Sequence, residues 1–143
     1  MSNLYDEVMM EHIKNARNYR DLDKPTKYAE GINPLCGDRF SVFVKMDQNI
    51  IADLSFQCEC CGISMASASM MTELIKGYTE KEARLAIDEF KKFITGSGEN
   101  FKYGGDVNAV FKTLVKFPSR VNCASLGWTT LATALDGENE VTI

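Results

Sequence analysis

Leu4, Tyr5, Val8, Met9, Ile13 and Ala16, with His12 among them, recur at three- and four-residue intervals, the spacing of one helix face. The pattern predicts an amphipathic helix within residues 3–20, stopping before DLDKP, where a proline-bearing polar segment breaks the repeat. From Tyr28 to Cys58 the period changes to two. RFSVFVKMD and IIADLSF alternate and are rich in Val, Ile and Phe, with DQN between them, which reads as a hairpin. A further strand is expected around residues 26–33. Along the second hairpin strand Ala52, Leu54 and Phe56 fall on one face and Asp53, Ser55 and Gln57 on the other, with Cys58 prolonging the apolar face.

After Cys61 the period lengthens again. Ala66, Ser67, Ala68 and Ser69, then Met70, Leu74 and Ile75, predict a close-packed helix ended at Gly77, which puts Cys61 at a strand-to-helix junction. Thr79 and Glu82 match a capping box, opening a helix with Ala83, Ala86, Ile87, Phe90, Phe93 and Ile94 as its apolar stripe and Gly96 as its stop. GSGENFKYGGD reads as a loop, residues 106–116 as a short helix, and Val121, Ala124, Leu126, Trp128, Leu131 and Leu135 as the stripe of a last helix running up to Gly137. ENEVTI is expected to be a frayed tail. Helix, hairpin, then helices indicates an α+β fold: a small antiparallel sheet of about three strands with helices packed on one face.

The chain has 143 residues, the size of one domain able to bury a single core, so residues 1–143 are expected to form one unit. The net charge is −4 and basic residues cluster no further than pairs such as Lys91–Lys92, which leaves no electrostatic footprint for nucleic acid. No stretch approaches the roughly 18 apolar residues of a membrane span. The N-terminal segment lacks the charged, apolar and small-residue regions of a secretory signal, so a cytoplasmic location is expected. There, five cysteines point to metal binding or thiol chemistry rather than to a disulfide framework.

Cys36 lies in NPLCGDRF, where Pro34 and Gly37 mark a tight turn that delivers Asp38 two residues later. Cys61 and Cys123 fall at or near helix starts, where backbone N–H groups favour a thiolate. Three thiolates and one carboxylate make a tetrahedral set of the kind zinc accepts, and thiolates also hold iron–sulfur clusters. The plainer reading is that each cysteine is a small buried hydrophobe, and it is strongest for Cys58. Cys58-Glu59-Cys60-Cys61 is too compressed for one ion to take all three thiols easily. His12, the lone histidine, reads as a surface or packing residue, and Met65, Met70 and Met71 as core filler.

NPLCGDRF, then CCGISMASASMM, then RVNCASLGW resemble, in order, the three signature segments of the IscU/SufU/NifU-N family of iron–sulfur cluster assembly proteins, and YDEVMMEHIKNARNYRDL resembles its N-terminal helix. The resemblance implies a SufE/NifU-like fold and assigns Cys36, Asp38, Cys61 and Cys123 to a site for zinc or a [2Fe-2S] cluster. IscU-type members carry a histidine before the third cysteine, where this chain has Asn122. The separation of 62 positions between Cys61 and Cys123 resembles the SufU branch, whose members bind zinc and accept persulfide sulfur from a cysteine desulfurase. The implied function is sulfur acceptance, with Cys123 as acceptor and Arg120 as a supporting charge, followed by assembly or transfer to downstream cluster acceptor proteins. Alternatives are a zinc-dependent sulfurtransferase that builds no cluster and a structural zinc domain. One departure stands out: Cys58 and Cys60 replace the glycines that usually precede the second cysteine, and would supply a fourth sulfur ligand or relay a persulfide to Cys61.

Overall fold

The computed structural model describes residues 4–96, 101–103, 105–111 and 117–143. Helix α1 (Leu4–Lys14) is followed by strands β1 (Lys27–Asn33), β2 (Asp38–Asp47) and β3 (Ile50–Glu59), helices α2 (Gly62–Ile75), α3 (Glu80–Ile94), α4 (Gly105–Phe111) and α5 (Pro118–Leu135), and strand β4 (Glu140–Thr142). The strands form one sheet in the order β3-β2-β1-β4. β1 to β3 are antiparallel and β4 runs parallel to β1. The α+β class holds, but the sheet is four-stranded and mixed rather than three-stranded and antiparallel. The extra strand is the tail expected to fray. The outer edge of β1 offers unpaired backbone groups, and the tail takes them: Glu30 N–H donates to the Asn139 carbonyl and Ile143 N–H to that of Ile32.

The other edge is also covered. α1 ends at Lys14, short of the expected limit near residue 20, and Asn18 adopts a positive φ of 59°. Phe56 N–H donates to the Asn18 carbonyl and Arg20 N–H to that of Phe56, each at 3.0 Å, so residues 18–20 lie along β3. Tyr19 packs edge-on against Phe56, and its hydroxyl donates to the Cys58 carbonyl at 2.9 Å.

Within the hairpin, Lys45 pairs with Asp53 and Met46 with Ile51, leaving Ala52 as the extra residue of a bulge. A bulge reverses the parity of the strand. Ile51 therefore joins Leu54 and Phe56 in the core while Ala52 is exposed, which corrects the expected placement of Ala52 on the apolar face.

Ala29, Phe40, Val42, Val44, Leu54 and Phe56 present the sheet's buried face, over which α5 crosses β1 and β2 while α2 packs on α5 and β3. α2 is buried almost all round: Ser64, Ala66, Ser67, Ala68, Ser69, Met70, Met71 and Thr72 are inaccessible, as for a helix at the centre of a fold. Its hydroxyls are all used. Ser67 donates to the Ala124 carbonyl and accepts from Trp128 Nε1, Ser69 accepts from Arg17 N–H and bonds His12 Nδ1, and Thr72 Oγ1 accepts from Asn18 Nδ2. His12 is thus a packing residue, 3% exposed. The capping box on α3 forms as expected, Thr79 accepting from Glu82 N–H and Glu82 from Thr79 N–H. α4 covers part of the short helix expected over 106–116; residues 112–116 of it, and 97–100 and 104 of the preceding loop, lie outside the described residues. Among the described residues no helix is long and apolar enough to cross a membrane.

The sheet and α5 approach closely at Gly31, where an added Cβ would collide with Thr130 Oγ1 and lie 3.2 Å from Leu126 Cδ1. Thr130 is fully buried and its hydroxyl is committed to the Leu126 carbonyl at 2.7 Å. Gly31→Ala is expected to cost about 1–3 kcal/mol, the range for overpacking, read as a lower denaturant midpoint. An unchanged midpoint would contradict this packing.

Candidate metal and sulfur site

The site forms where three segments end together. Asn33 closes β1, and its carbonyl accepts from Gly37 N–H at 2.9 Å while its side chain accepts from Leu35 N–H at 3.1 Å. Gly37 takes φ of +76°, a value a β-carbon disfavours. The resulting turn leaves Cys36 exposed and Leu35 90% exposed, and it returns the chain into β2 with Asp38 buried. Cys61 is the N-cap of α2, in extended backbone. Cys123 lies on α5, 7% exposed.

The ligand atoms of Cys36, Asp38 and Cys123 all lie within 4.8 Å of one another, and the Cys36 and Cys123 sulfurs are 4.0 Å apart. Cys61 reaches this group through Asp38: its Sγ is 3.8 Å from Asp38 Oδ2 and its N–H donates to Oδ1 at 3.3 Å. It also presses on Cys123. Burial, then the neighbouring Cys61 and Cys36, push the Cys123 thiol up to about 12. This corrects the expectation that a helix start would favour the Cys123 thiolate. Cys123 stands beyond the first turn of α5, where the N-terminal N–H groups no longer act, and desolvation of the charged form prevails.

Ser64 is a participant the sequence reading missed. Its hydroxyl lies 2.6 Å from Asp38 Oδ2, 3.0 Å from the Cys123 carbonyl and 3.3 Å from Cys61 Sγ. With a single proton to give, the hydroxyl donates over the shorter, charge-assisted contact to the carboxylate. It therefore orients Asp38 Oδ2, the oxygen that the Cys61 thiol also meets. The signal was its position three residues after the N-cap, one turn along the same helix face.

Arg120 is exposed at the start of α5, and among the described residues it pairs with no thiol. Cys58 and Cys60 pack partly against the core and are joined to each other as a disulfide, leaving Cys36, Cys61 and Cys123 as the free cysteines. In this form Cys60 is neither a fourth sulfur ligand nor open to carry a persulfide, and Cys58 is more than packing. Two residues apart at the end of an extended strand, their side chains leave on the same face, with the Cα atoms 5.5 Å apart, inside bridging range.

Three thiols and a carboxylate offered by separate turns and helix ends suit a soft or borderline ion better than a hard one. Fold and donor set together define a small α+β domain with a thiol-rich candidate metal site. Residues 4–137 match the NifU-like N terminal domain family, and the chain belongs to it. It is 39% identical over 132 residues to the zinc-dependent sulfurtransferase SufU of Bacillus subtilis, an alignment covering 92% of this chain and 88% of that one. It is 35% identical over 133 residues to the iron-sulfur cluster assembly scaffold protein IscU of Thermotoga maritima, covering 92% of each. A crystal structure described as a putative iron-sulfur cluster assembly scaffold protein for the SUF system, from Fervidobacterium islandicum AW-1, superposes with a TM-score of 0.81 at 31% identity over 90% of this chain and 94% of that one.

Proposed function

We propose that this chain, working as one domain over residues 1–143 in the cytoplasm, is an iron–sulfur cluster assembly protein that accepts persulfide sulfur from a cysteine desulfurase of the SufS or IscS kind. It then assembles that sulfur with iron or passes it to downstream acceptor proteins. The observation that carries this reading is the approach of Cys36, Asp38 and Cys123 to within 4.8 Å, with Cys61 against Asp38. Donor number and chemistry fit zinc: Cys36, Asp38, Cys61 and Cys123 would complete four-coordination. A bound ion supplies the positive charge that allows buried thiols to ionise. The chain does the rest: Ser64 and the Cys61 N–H hold the carboxylate, and exposed Cys36 gives a partner's persulfide a route to Cys123, the acceptor. Arg120, outside the site, is left a role at the approach to it, toward a partner's charge. Iron and sulfide are cargo in this scheme.

The test is an anaerobic reaction of the protein, its Cys58–Cys60 pair oxidised as in the structure, with desulfurase and cysteine. The reading expects faster desulfurase turnover and one added sulfur on Cys123 by peptide mass mapping. No stimulation and no added sulfur would leave only a structural zinc domain. Similarity to the Bacillus subtilis protein favours the second reading, a zinc-dependent sulfurtransferase that builds no cluster; addition of iron to the same reaction separates the two, because only a scaffold develops thiolate-to-iron absorption.

The family resemblance implies that Asp38→Ala retains zinc or cluster longer under a chelator, the carboxylate, the weakest ligand of the set for a soft ion, being the point from which the ion is released. The same change strands Ser64 and the Cys61 N–H without their acceptor, which costs about 1–3 kcal/mol in unfolding of the metal-free protein. Faster metal loss than in the unmutated protein would contradict the assigned role.

A further inference from the structure

Cys58 and Cys60 are not used by the site just described, yet they stand immediately before Cys61 and are joined to each other. A disulfide across one intervening residue closes a loop too short to constrain the unfolded chain by much. Nor does β3 need it. The strand end is already fixed by pairing of Cys58 with Phe40 and Glu59 with Arg39 and by the Tyr19 hydroxyl on the Cys58 backbone. The pair is also reachable: Cys58 and Cys60 are each only half-buried. A pair that is half-buried, dispensable to the strand and directly before the site ligand Cys61 is placed for thiol–disulfide exchange.

We propose that Cys58 and Cys60 are a built-in reductant that converts persulfide sulfur held in the site to sulfide. The inference rests on the sulfur-acceptor reading above. Desulfurase chemistry delivers sulfur in the zero-valent, sulfane state, whereas a cluster contains sulfide, so each sulfur needs two electrons. A dithiol holds that number. In the first step the Cys60 thiol attacks the outer sulfur of the site persulfide. The S–S bond of that persulfide breaks, the site cysteine leaves as a thiol carrying the proton from Cys60, and Cys60 becomes the persulfide. In the second step the Cys58 thiol attacks the inner sulfur of that group. The Cys58–Cys60 disulfide forms and hydrogen sulfide leaves with the Cys58 proton. The sulfane sulfur is reduced by two electrons and the two cysteine sulfurs lose one each, so the disulfide seen in the structure is the spent state. A dithiol reductant reaching the half-buried pair from solvent restores it.

The experiment uses the full chain, reduced and freed of reductant under anaerobic conditions, with desulfurase and one equivalent of cysteine. The expected result is release of sulfide equimolar with the cysteine consumed, together with closure of the Cys58–Cys60 disulfide on peptide mapping. C58S is expected to release no sulfide above the blank and to hold the added sulfur on Cys60. The double variant C58S/C60S should hold it in the three-thiol site. If the double variant loads sulfur and the unmutated protein keeps it too, with Cys58 and Cys60 still free, this inference fails and the acceptor reading stands. If neither loads sulfur, the acceptor reading fails and takes this one with it. The result on the unmutated chain decides the matter even where a variant does not fold.

Discussion

Cys61→Ser is expected to abolish stable metal binding while leaving the chain folded. Cys61 is half-buried and bonded to Asp38 through both its N–H and its sulfur, so serine preserves the backbone contact and removes the thiolate. Changes to residues that merely support a ligand cost about 10–100-fold in metal affinity; loss of a thiolate ligand should exceed the upper end of that range, beyond about 100-fold. Competition of purified, reloaded protein against a zinc chelator measures it. Cys58→Ala serves as the contrast, because Cys58 lies outside the ligand group and its loss should leave zinc affinity in place. If Cys58→Ala destroyed metal binding and Cys61→Ser preserved it, the ligand assignment would be wrong.

Trp128→Ala should be among the most destabilising single changes in the core. The indole is fully buried and stacks on Phe90 with centroids 4.0 Å apart and planes within 3°. Phe101 meets it edge-on. Its Nε1 donates to Ser67 at 2.9 Å, which ties α5 to α2 one turn from Ser64. Removing a buried Trp or Phe costs about 3–5 kcal/mol, a large share of the roughly 5–15 kcal/mol that holds a domain together. Denaturant unfolding followed by circular dichroism would show it, and Trp128→Phe should recover part of the loss by retaining the stack without the hydrogen bond. A loss below about 1 kcal/mol for the alanine variant would contradict the packing of α5 on α2 and α3.

The features legible from sequence are those written by local chemistry. The capping box at Thr79 and Glu82 and the polar turn between β2 and β3 each act over a few residues, and each formed as expected. Features set by distant partners were not legible. β4 spans only Glu140–Thr142, too short to carry a periodic signal, and it exists because β1 has a vacant edge. The Ala52 bulge is invisible in an alternating sequence, since Ile50 and Ile51 are both apolar and either can face inward. Residues 15–20 continue the helical spacing of α1, but hydrogen bonds to β3 and to the hydroxyls of Ser69 and Thr72 on α2 draw them out of it.

For the site, turns and helix ends marked Cys36, Asp38 and Cys61, and the family resemblance supplied the set. Crowding could not be read this way. Cys123 looks like an activated thiol by position in the chain, yet three thiols in one partly buried space disfavour its ionisation unless a cation is present. The run of small residues in α2 announced close packing, but not that Ser64 would bind Asp38.

The central claim is that Cys36, Asp38, Cys61 and Cys123 form one metal-holding site, and X-ray absorption at the zinc edge of the loaded, reduced protein tests it most directly. The account predicts a four-coordinate ion with three sulfurs at about 2.3 Å and one oxygen at about 2.0–2.2 Å, the oxygen being lost or replaced in Asp38→Ala. A shell of four sulfurs, which would bring in Cys60, or a shell unchanged by Asp38→Ala, would contradict it.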